Sequence, residues 1–411
     1  MVTPFPQTSS QAVTLADIEA ARELLRDVIR PTPMEHSRAL SAKVDGEVYL
    51  KLENLQRAGS FKIRGAYTRM SRLTPQERAQ GVVAASACNH AQGVALAAQL
   101  LGIEATVYMP VGATIPKVAA TRGYGATIVF HGTSVDECLV EALAHQERTG
   151  AVLIHPFDHL DVVAGQGTCG LEILEQCPQV RTVLVCTGGG GLLAGIAAAV
   201  KALRPDVRVV GVQAASAAAY PPSLAAGRPV ALEQMRTMAD GIAVGRPGDV
   251  PFGLVEALVD QIVTVDEDQL ASALLFLLER AKQVAEPAGA AAVAALLAQP
   301  QAFEAPVVAV VSGGNIDPLL MMRVIRHGMQ AAGRYLQFRV RVPDRPGSLA
   351  ALLAVLAETD ANVLEVGHVR TGLQLGVDEV EIGVQLETKG AEHRAEVLER
   401  LSASGFPPRF H

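Results

Sequence analysis

The sequence predicts an α/β protein with two open, mostly parallel sheets covered by helices on both faces, followed by a smaller antiparallel unit. Three observations carry this expectation. Short β-rich apolar runs alternate with Ala/Leu-rich stretches at helical spacing through most of the chain. Several of those runs end in turns of small residues that open the next helix, the arrangement of a parallel sheet. Near Gly333 the texture changes to strict strand alternation.

The first segment offers Thr14 and Asp17 as a capping box, with Ile18, Ala21, Leu24, Leu25 and Val28 at helical spacing and Arg30-Pro31-Thr32-Pro33 as the stop. Strands at Val82 to Ala85, Ala105 to Met109 and Val183 to Cys186 precede helices at Gln92 to Leu101, Ile115 to Arg122 and Leu192 to Leu203. Val207 to Gln213 and Val307 to Val311 read as further buried strands. In the tail, Leu336, Phe338, Val340 and Val342 alternate with Gln337, Arg339 and Arg341, which makes a half-exposed strand. A turn at Pro343 to Gly347 follows, then a helical stripe of Leu349, Leu352, Leu353 and Leu356. Strands at Val363 to Val369 and Val380 to Leu386 and a helix at Ala391 to Leu401 complete a βαββα, ferredoxin-like order, with a short last strand expected at Phe406 to Phe410.

A chain of 411 residues, 49% hydrophobic and 19% charged, has room for two or three globular domains. Lys plus Arg number 35 against 42 Asp plus Glu, a net charge of -7 without a long single-sign run, so the footprint of a nucleic-acid binder is missing and small molecules are the expected partners. Five cysteines without a CxxC pair argue against a disulfide framework and a cysteine-held zinc, and point to a reducing, cytoplasmic setting. The first fourteen residues lack the pattern of an export signal. The uncharged stretch from Thr182 to Val200 contains four successive glycines and reads as strand, loop and helix, so no membrane partner is expected.

Four turns could carry chemistry. In Ser60-Phe61-Lys62-Ile63-Arg64-Gly65-Ala66, Lys62 lies between apolar neighbours, where partial burial would depress its pKa and free the amine for Schiff-base chemistry. Thr187-Gly188-Gly189-Gly190-Gly191-Leu192 joins a strand to a helix, and its backbone N–H groups can converge on a phosphate at the helix N-terminus. Ser86-Ala87-Cys88-Asn89-His90 also opens a helix and suits a carboxylate. Ser312-Gly313-Gly314-Asn315 follows a buried strand. Gly189, Gly191 and Ala194 also satisfy a loose dinucleotide pattern, but Gln213 stands where a ribose-binding carboxylate would be wanted, which weakens an NAD oxidoreductase reading. His155 to Asp161 groups two histidines with two carboxylates, yet Pro156 disfavours the helix that would align them, and no metal site is expected there.

In this order Ser-Phe-Lys-Ile-Arg-Gly-Ala, Ser-Ala-x-Asn-His-Ala-Gln-Gly, Gly-Gly-Gly-Gly-Leu and Ser-Gly-Gly-Asn resemble the threonine dehydratases, fold-type II pyridoxal-phosphate enzymes, from about Thr14 to Gly333. Asp240 in Ala239-Asp240-Gly241-Ile242 and Glu286 in Glu286-Pro287-Ala288-Gly289 fit the same pattern, and Asp344 to Leu349 makes the tail similar to an ACT regulatory domain. The resemblance implies a catalytic domain at 1–333, with a smaller subdomain at about 52–160 inserted in the larger one, and an ACT domain at 334–411. It implies pyridoxal 5'-phosphate as cofactor, with Lys62 as Schiff-base lysine, Gly188, Gly189, Gly190, Gly191 and Leu192 around its phosphate, Asn89 at the ring hydroxyl and Ser312 at the ring nitrogen. Substrate would meet Ser86, Ala87, Cys88, Asn89 and His90.

The implied reaction is β-elimination of threonine, and of serine, in a cytoplasmic homo-oligomer, dimer or tetramer, with an amino-acid effector at the ACT domain. Related racemases carry an acid/base serine where this chain has Ala87, which favours elimination. Related enzymes that hold a divalent cation use acidic residues where this chain has Gln213, Ala214, Ala215 and Ala219, so no such site is expected. The family's loop has glycine where this chain has Cys88. Were that backbone to need a positive φ, the cysteine would cost on the order of 1–2 kcal/mol; near a helix N-terminus it could instead be a reactive, low-pKa thiol. Simple tolerance is favoured over both, while loss of activity would leave an amino-acid sensor as the alternative.

Overall fold

A computed structural model describes residues 13–370 and 375–410. The chain divides into two compact units, one ending at Met321 and one starting at Met322.

The first unit contains both parallel sheets. Six strands lie in the order Met34–His36, Val48–Leu52, Val307–Val311, Thr182–Cys186, Arg208–Ala214, Gln261–Val265, and only the first is antiparallel to its neighbour. Four parallel strands form the other sheet, in the order Thr127–Phe130, Ala105–Met109, Val82–Ala85, Val152–Leu153. Val307–Val311 and Thr182–Cys186 are buried along their whole length, as strands covered on both faces must be. The second sheet is threaded between Val48–Leu52 and Thr182–Cys186 of the first.

Thr14 caps the first helix, Leu15–Leu25, in the expected box with Asp17, although the helix ends before the Pro31 stop. Helices at Asn89–Leu101 and Gly191–Leu203 start earlier than their apolar periodicity indicated, so Asn89 and Gly191 already belong to them. Helix Leu160–Gln176 packs on Gly191–Leu203 at a glycine contact: a Cβ on Gly195 would lie 2.4 Å from the Val163 carbonyl oxygen. That close approach fixes where the tetraglycine turn enters its helix.

A buried ion cluster frames the helix Lys62–Ser71. Arg64, fully buried, donates to both oxygens of Glu53 at 2.7 Å and to Glu172 at 2.7 Å, while Lys51 reaches Glu172 at 2.5 Å. Two cations balance two anions, and Thr32, Thr168 and Gln176 complete their hydrogen bonds. Burial opposes the charge on Glu53, but Arg64 more than offsets it and holds that carboxyl below its ordinary pKa.

In the second unit, Glu379–Glu387 lies between Tyr335–Pro343 and Asn362–Val369 in an antiparallel sheet. Helices Ser348–Ala357 and Ala391–Ala403 contribute Leu352, Leu356, Val397 and Leu401 to a core with Leu336, Phe338, Val340 and Val342. This is the βαββα order expected of the tail. The last strand expected at Phe406 to Phe410 is reduced to a single antiparallel bridge between Arg339 and Arg409. No helix among the described residues is long and apolar enough to cross a membrane.

Candidate active site

All four sequence-marked turns follow the carboxyl ends of strands: 53–62 after Val48–Leu52, 86–90 after Val82–Ala85, 187–192 after Thr182–Cys186 and 312–315 after Val307–Val311. Open α/β sheets bind ligands at that edge because loops and helix N-termini converge there. The turns also touch one another. Ser60 bridges Gly313, Phe61 N–H donates to the Ser312 carbonyl at 3.2 Å, and Gly93, in the helix after the 86–90 turn, packs on Lys62 with its Cβ position 3.2 Å from the Lys62 Cβ.

Lys62 is the first residue of its helix and half-buried. Its Nζ donates to the Pro156 carbonyl at 3.0 Å and lies 5.1 Å from the Phe61 ring centre. Burial lowers its pKa to about 8, although Cys186, Cys88 and Glu286 draw the other way. At pH 7 about one amine in ten is then neutral, against fewer than one in a thousand for an ordinary lysine.

The tetraglycine turn presents the amide N–H groups of Gly188, Gly189, Gly190, Gly191 and Leu192, none of which meets an acceptor among the described residues. Unpaired, mostly buried donors at a helix N-terminus favour an anion. Gly190 has φ +101, and a Cβ there would fall 1.8 Å from the Tyr220 hydroxyl oxygen, so the position tolerates neither the backbone strain nor the bulk of a side chain. Tyr220 Oη donates to the Gly189 carbonyl at 3.3 Å, and the Phe157 ring would lie 2.4 Å from a Cβ on Gly189. Phe157 adjoins the Pro156 carbonyl that receives Lys62, so amine and glycine turn share one wall.

In the 86–90 turn the Ser86 hydroxyl accepts from Cys88 N–H at 3.1 Å, and Ala87 is half-buried. Asn89 Nδ2 donates to Glu286, while its Oδ1 accepts from Asn315 at 2.8 Å. Burial raises the Glu286 carboxyl to about 7, helped by Asp240. His90 is hydrogen-bonded to the Ile154 carbonyl at 2.7 Å, and burial takes its pKa down to about 3, so the ring is neutral. The Cys186 thiol donates to Ser312 Oγ at 3.1 Å, which leaves the serine hydrogen free to be given elsewhere.

Cys88 has φ −131, an extended conformation open to any residue, so the strain a positive φ would bring does not arise. The thiol is not a low-pKa group either: burial and the neighbouring Asp240 push it up to about 12. Tyr220, Cys186 and Lys117 carried no sequence signal, and Glu286 and Asp240 were marked without a partner.

The chain is similar to known proteins over both of its units. The family model for pyridoxal-phosphate dependent enzymes matches residues 25–313, and that for the ACT domain matches 337–404. An L-threonine ammonia-lyase of Thermotoga maritima is 47% identical over 397 residues, covering 97% of this chain and 99% of that protein. Among solved structures, a T.th. threonine deaminase has a TM-score of 0.71 at 43% identity, over 74% of this chain and 99% of that one. A maize serine racemase has a TM-score of 0.73 at 34% identity, over 78% of this chain and 99% of that one. The chain belongs to the pyridoxal-phosphate-dependent enzymes, within the threonine dehydratase group that carries a C-terminal ACT domain.

Proposed function

We propose that this chain eliminates the β-hydroxyl of L-threonine, and of L-serine, releasing 2-oxobutanoate or pyruvate together with ammonia. The observation that carries the reading is the meeting of a desolvated amine at Lys62 with five unpaired amides at 188–192 beside one wall. The residues present fit pyridoxal phosphate: the amides suit its anionic end, the amine suits its aldehyde, and the free hydrogen of Ser312 suits a neutral ring nitrogen. The chemistry supplied by the cofactor, when bound, is electron withdrawal that acidifies the Cα hydrogen of an amino acid.

Lys62 then holds and moves the proton at Cα, a task its lowered pKa suits near neutral pH. Asn89, fixed by Glu286 and Asn315, keeps one amide hydrogen for the ring hydroxyl. A serine at the ring nitrogen donates a hydrogen bond without a full proton, which limits electron withdrawal and favours prompt loss of the hydroxyl over transamination. The 86–90 turn, at a helix N-terminus with Ser86 and free amides, receives the substrate carboxylate. Ala87 has no group to deliver a proton to the opposite face of Cα, which separates this reading from racemisation.

The ACT domain is read as a regulatory module for a branched amino acid such as isoleucine or valine, in a cytoplasmic homo-oligomer serving isoleucine formation. The support is the 344–349 loop, where Gly347 with φ +95 opens the helix Ser348–Ala357. Measuring keto-acid release from both substrates, with and without those amino acids, tests the reading. Release from threonine that vanishes in Lys62→Ala supports the lyase, and its absence in the intact cofactor-loaded protein overturns it in favour of a sensor.

A further inference from the structure

We infer that Cys88 is a positioning residue that ties the 86–90 turn to the tetraglycine turn through Asp240, and that this tie sets affinity for the amino-acid substrate. The identity of the substrate rests on the proposed lyase reading; the tie itself does not.

Of the five cysteines, Cys88 alone is half-buried, while Cys138, Cys169, Cys177 and Cys186 are buried. Its thiol donates to Asp240 Oδ2 at 3.2 Å. Lys117 Nζ pairs with the same carboxylate oxygen and lies 3.5 Å from the cysteine sulfur. Cys88 and Lys117 come from the layer of the four-stranded sheet, Cys88 after the strand Val82–Ala85 and Lys117 in the helix Ile115–Gly123. Asp240 comes from the other side. It opens the short turn Asp240–Ile242, and the Ile242 Cα lies 3.0 Å from the position a Cβ would take on Gly188. A continuous path of contacts therefore runs from the proposed carboxylate-binding turn, across the gap between the two sheets, to the first residue of the proposed phosphate cradle.

The charges favour the tie. Burial works against the ammonium of Lys117, yet its pairing and hydrogen bond with Asp240 favour the charged form, and its pKa lies above the ordinary lysine range. With Lys117 charged, Asp240 stays an acceptor, and the protonated thiol is the matching donor. Deleting the sulfur removes the turn's link to Asp240 and leaves only the Asn89 bonds to Glu286 and Asn315 across the gap, while the Lys62 hydrogen bond to the Pro156 carbonyl is untouched. The consequence falls on substrate affinity rather than on the proton transfer.

The test pairs steady-state kinetics with thiol labelling of the full-length holoenzyme. Cys88→Ala should raise KM for L-threonine by about three- to tenfold with kcat within a factor of about two, and Cys88→Ser, which keeps a donor, should return KM to within about twofold of the parent. Labelling with a soluble aromatic disulfide should be at least about fivefold faster at Cys88 in Asp240→Asn than in the parent, because the thiol loses its charged acceptor and the anion that raises its pKa. An unchanged KM in Cys88→Ala, a serine variant that behaves like the alanine one, or an unchanged labelling rate in Asp240→Asn would each overturn the tie. The labelling arm needs no turnover, so it still reports if the parent releases no keto acid, an outcome that would refute the lyase reading alone.

Discussion

Two turns open helices at the carboxyl edges of the two parallel sheets, and they work in opposite ways. The 188–192 turn acts through what it lacks: without side chains its amides stand unpaired, and Phe157 and Tyr220 close the space a Cβ would need. The 86–90 turn acts through what it carries, since Cys88, Asn89 and His90 are each fixed by a partner distant in sequence, Asp240, Glu286 and Ile154. A backbone site is specified locally and is fragile to addition. A side-chain site is specified by the fold and is fragile to removal of partners.

The largest effect should come from the frame beneath both turns. Arg64→Met leaves Glu53 buried without its paired cation and Glu172 with Lys51 alone, and should cost about 3–5 kcal/mol in urea unfolding. A loss below about 1 kcal/mol would mean that the ion cluster does not hold the helix bearing Lys62. The same cluster has a pH signature. Glu53 is held below its ordinary 4.5, so its ionisation stabilises the fold above that pH, and the contribution fades as pH falls through the depressed value. Stability of Glu53→Gln should accordingly fall less steeply with acid than that of the parent.

Gly190→Ala is the next step down. It adds a Cβ at φ +101 against Tyr220 and should weaken pyridoxal phosphate binding about tenfold, read by equilibrium dialysis of the cofactor. Unaltered binding would remove the contrast between the turns. A tenfold change is also expected from pH alone. Because burial lowers Lys62 to about 8, the rate at which the cofactor-free protein captures pyridoxal phosphate should rise about tenfold from pH 6 to 7 and level off above 8. A rise that continued to pH 10 would mean an ordinary, solvated lysine. The smallest effect is expected on kcat in Cys88→Gly, which should match that of the parent because the cysteine backbone is unstrained, while KM rises as in Cys88→Ala.

The same contrast explains what could be read before the fold was known. Val82–Ala85 and Val307–Val311 are uniformly apolar and buried, so composition marks them. Val48–Leu52 escaped because Lys51 interrupts its apolar run, and only the fold reveals that this lysine is buried against Glu172. Thr127–Phe130 and Gln261–Val265 escaped because they are edge strands and partly exposed. At the site, Lys62 and the glycine run are local signals and were legible. Tyr220 and Lys117 contribute only by distance, and a residue whose role is to meet another across the chain leaves no periodicity or motif.

The central claim is that the amine at position 62 is the group that captures the cofactor aldehyde. Borohydride reduction of the pyridoxal-phosphate-loaded protein, followed by peptide mass mapping, tests it directly. The account predicts a reduced cofactor adduct on Lys62, absent from Lys62→Ala. An adduct on Lys51 or Lys117, or a Lys62→Ala protein labelled as fully as the parent, would contradict it.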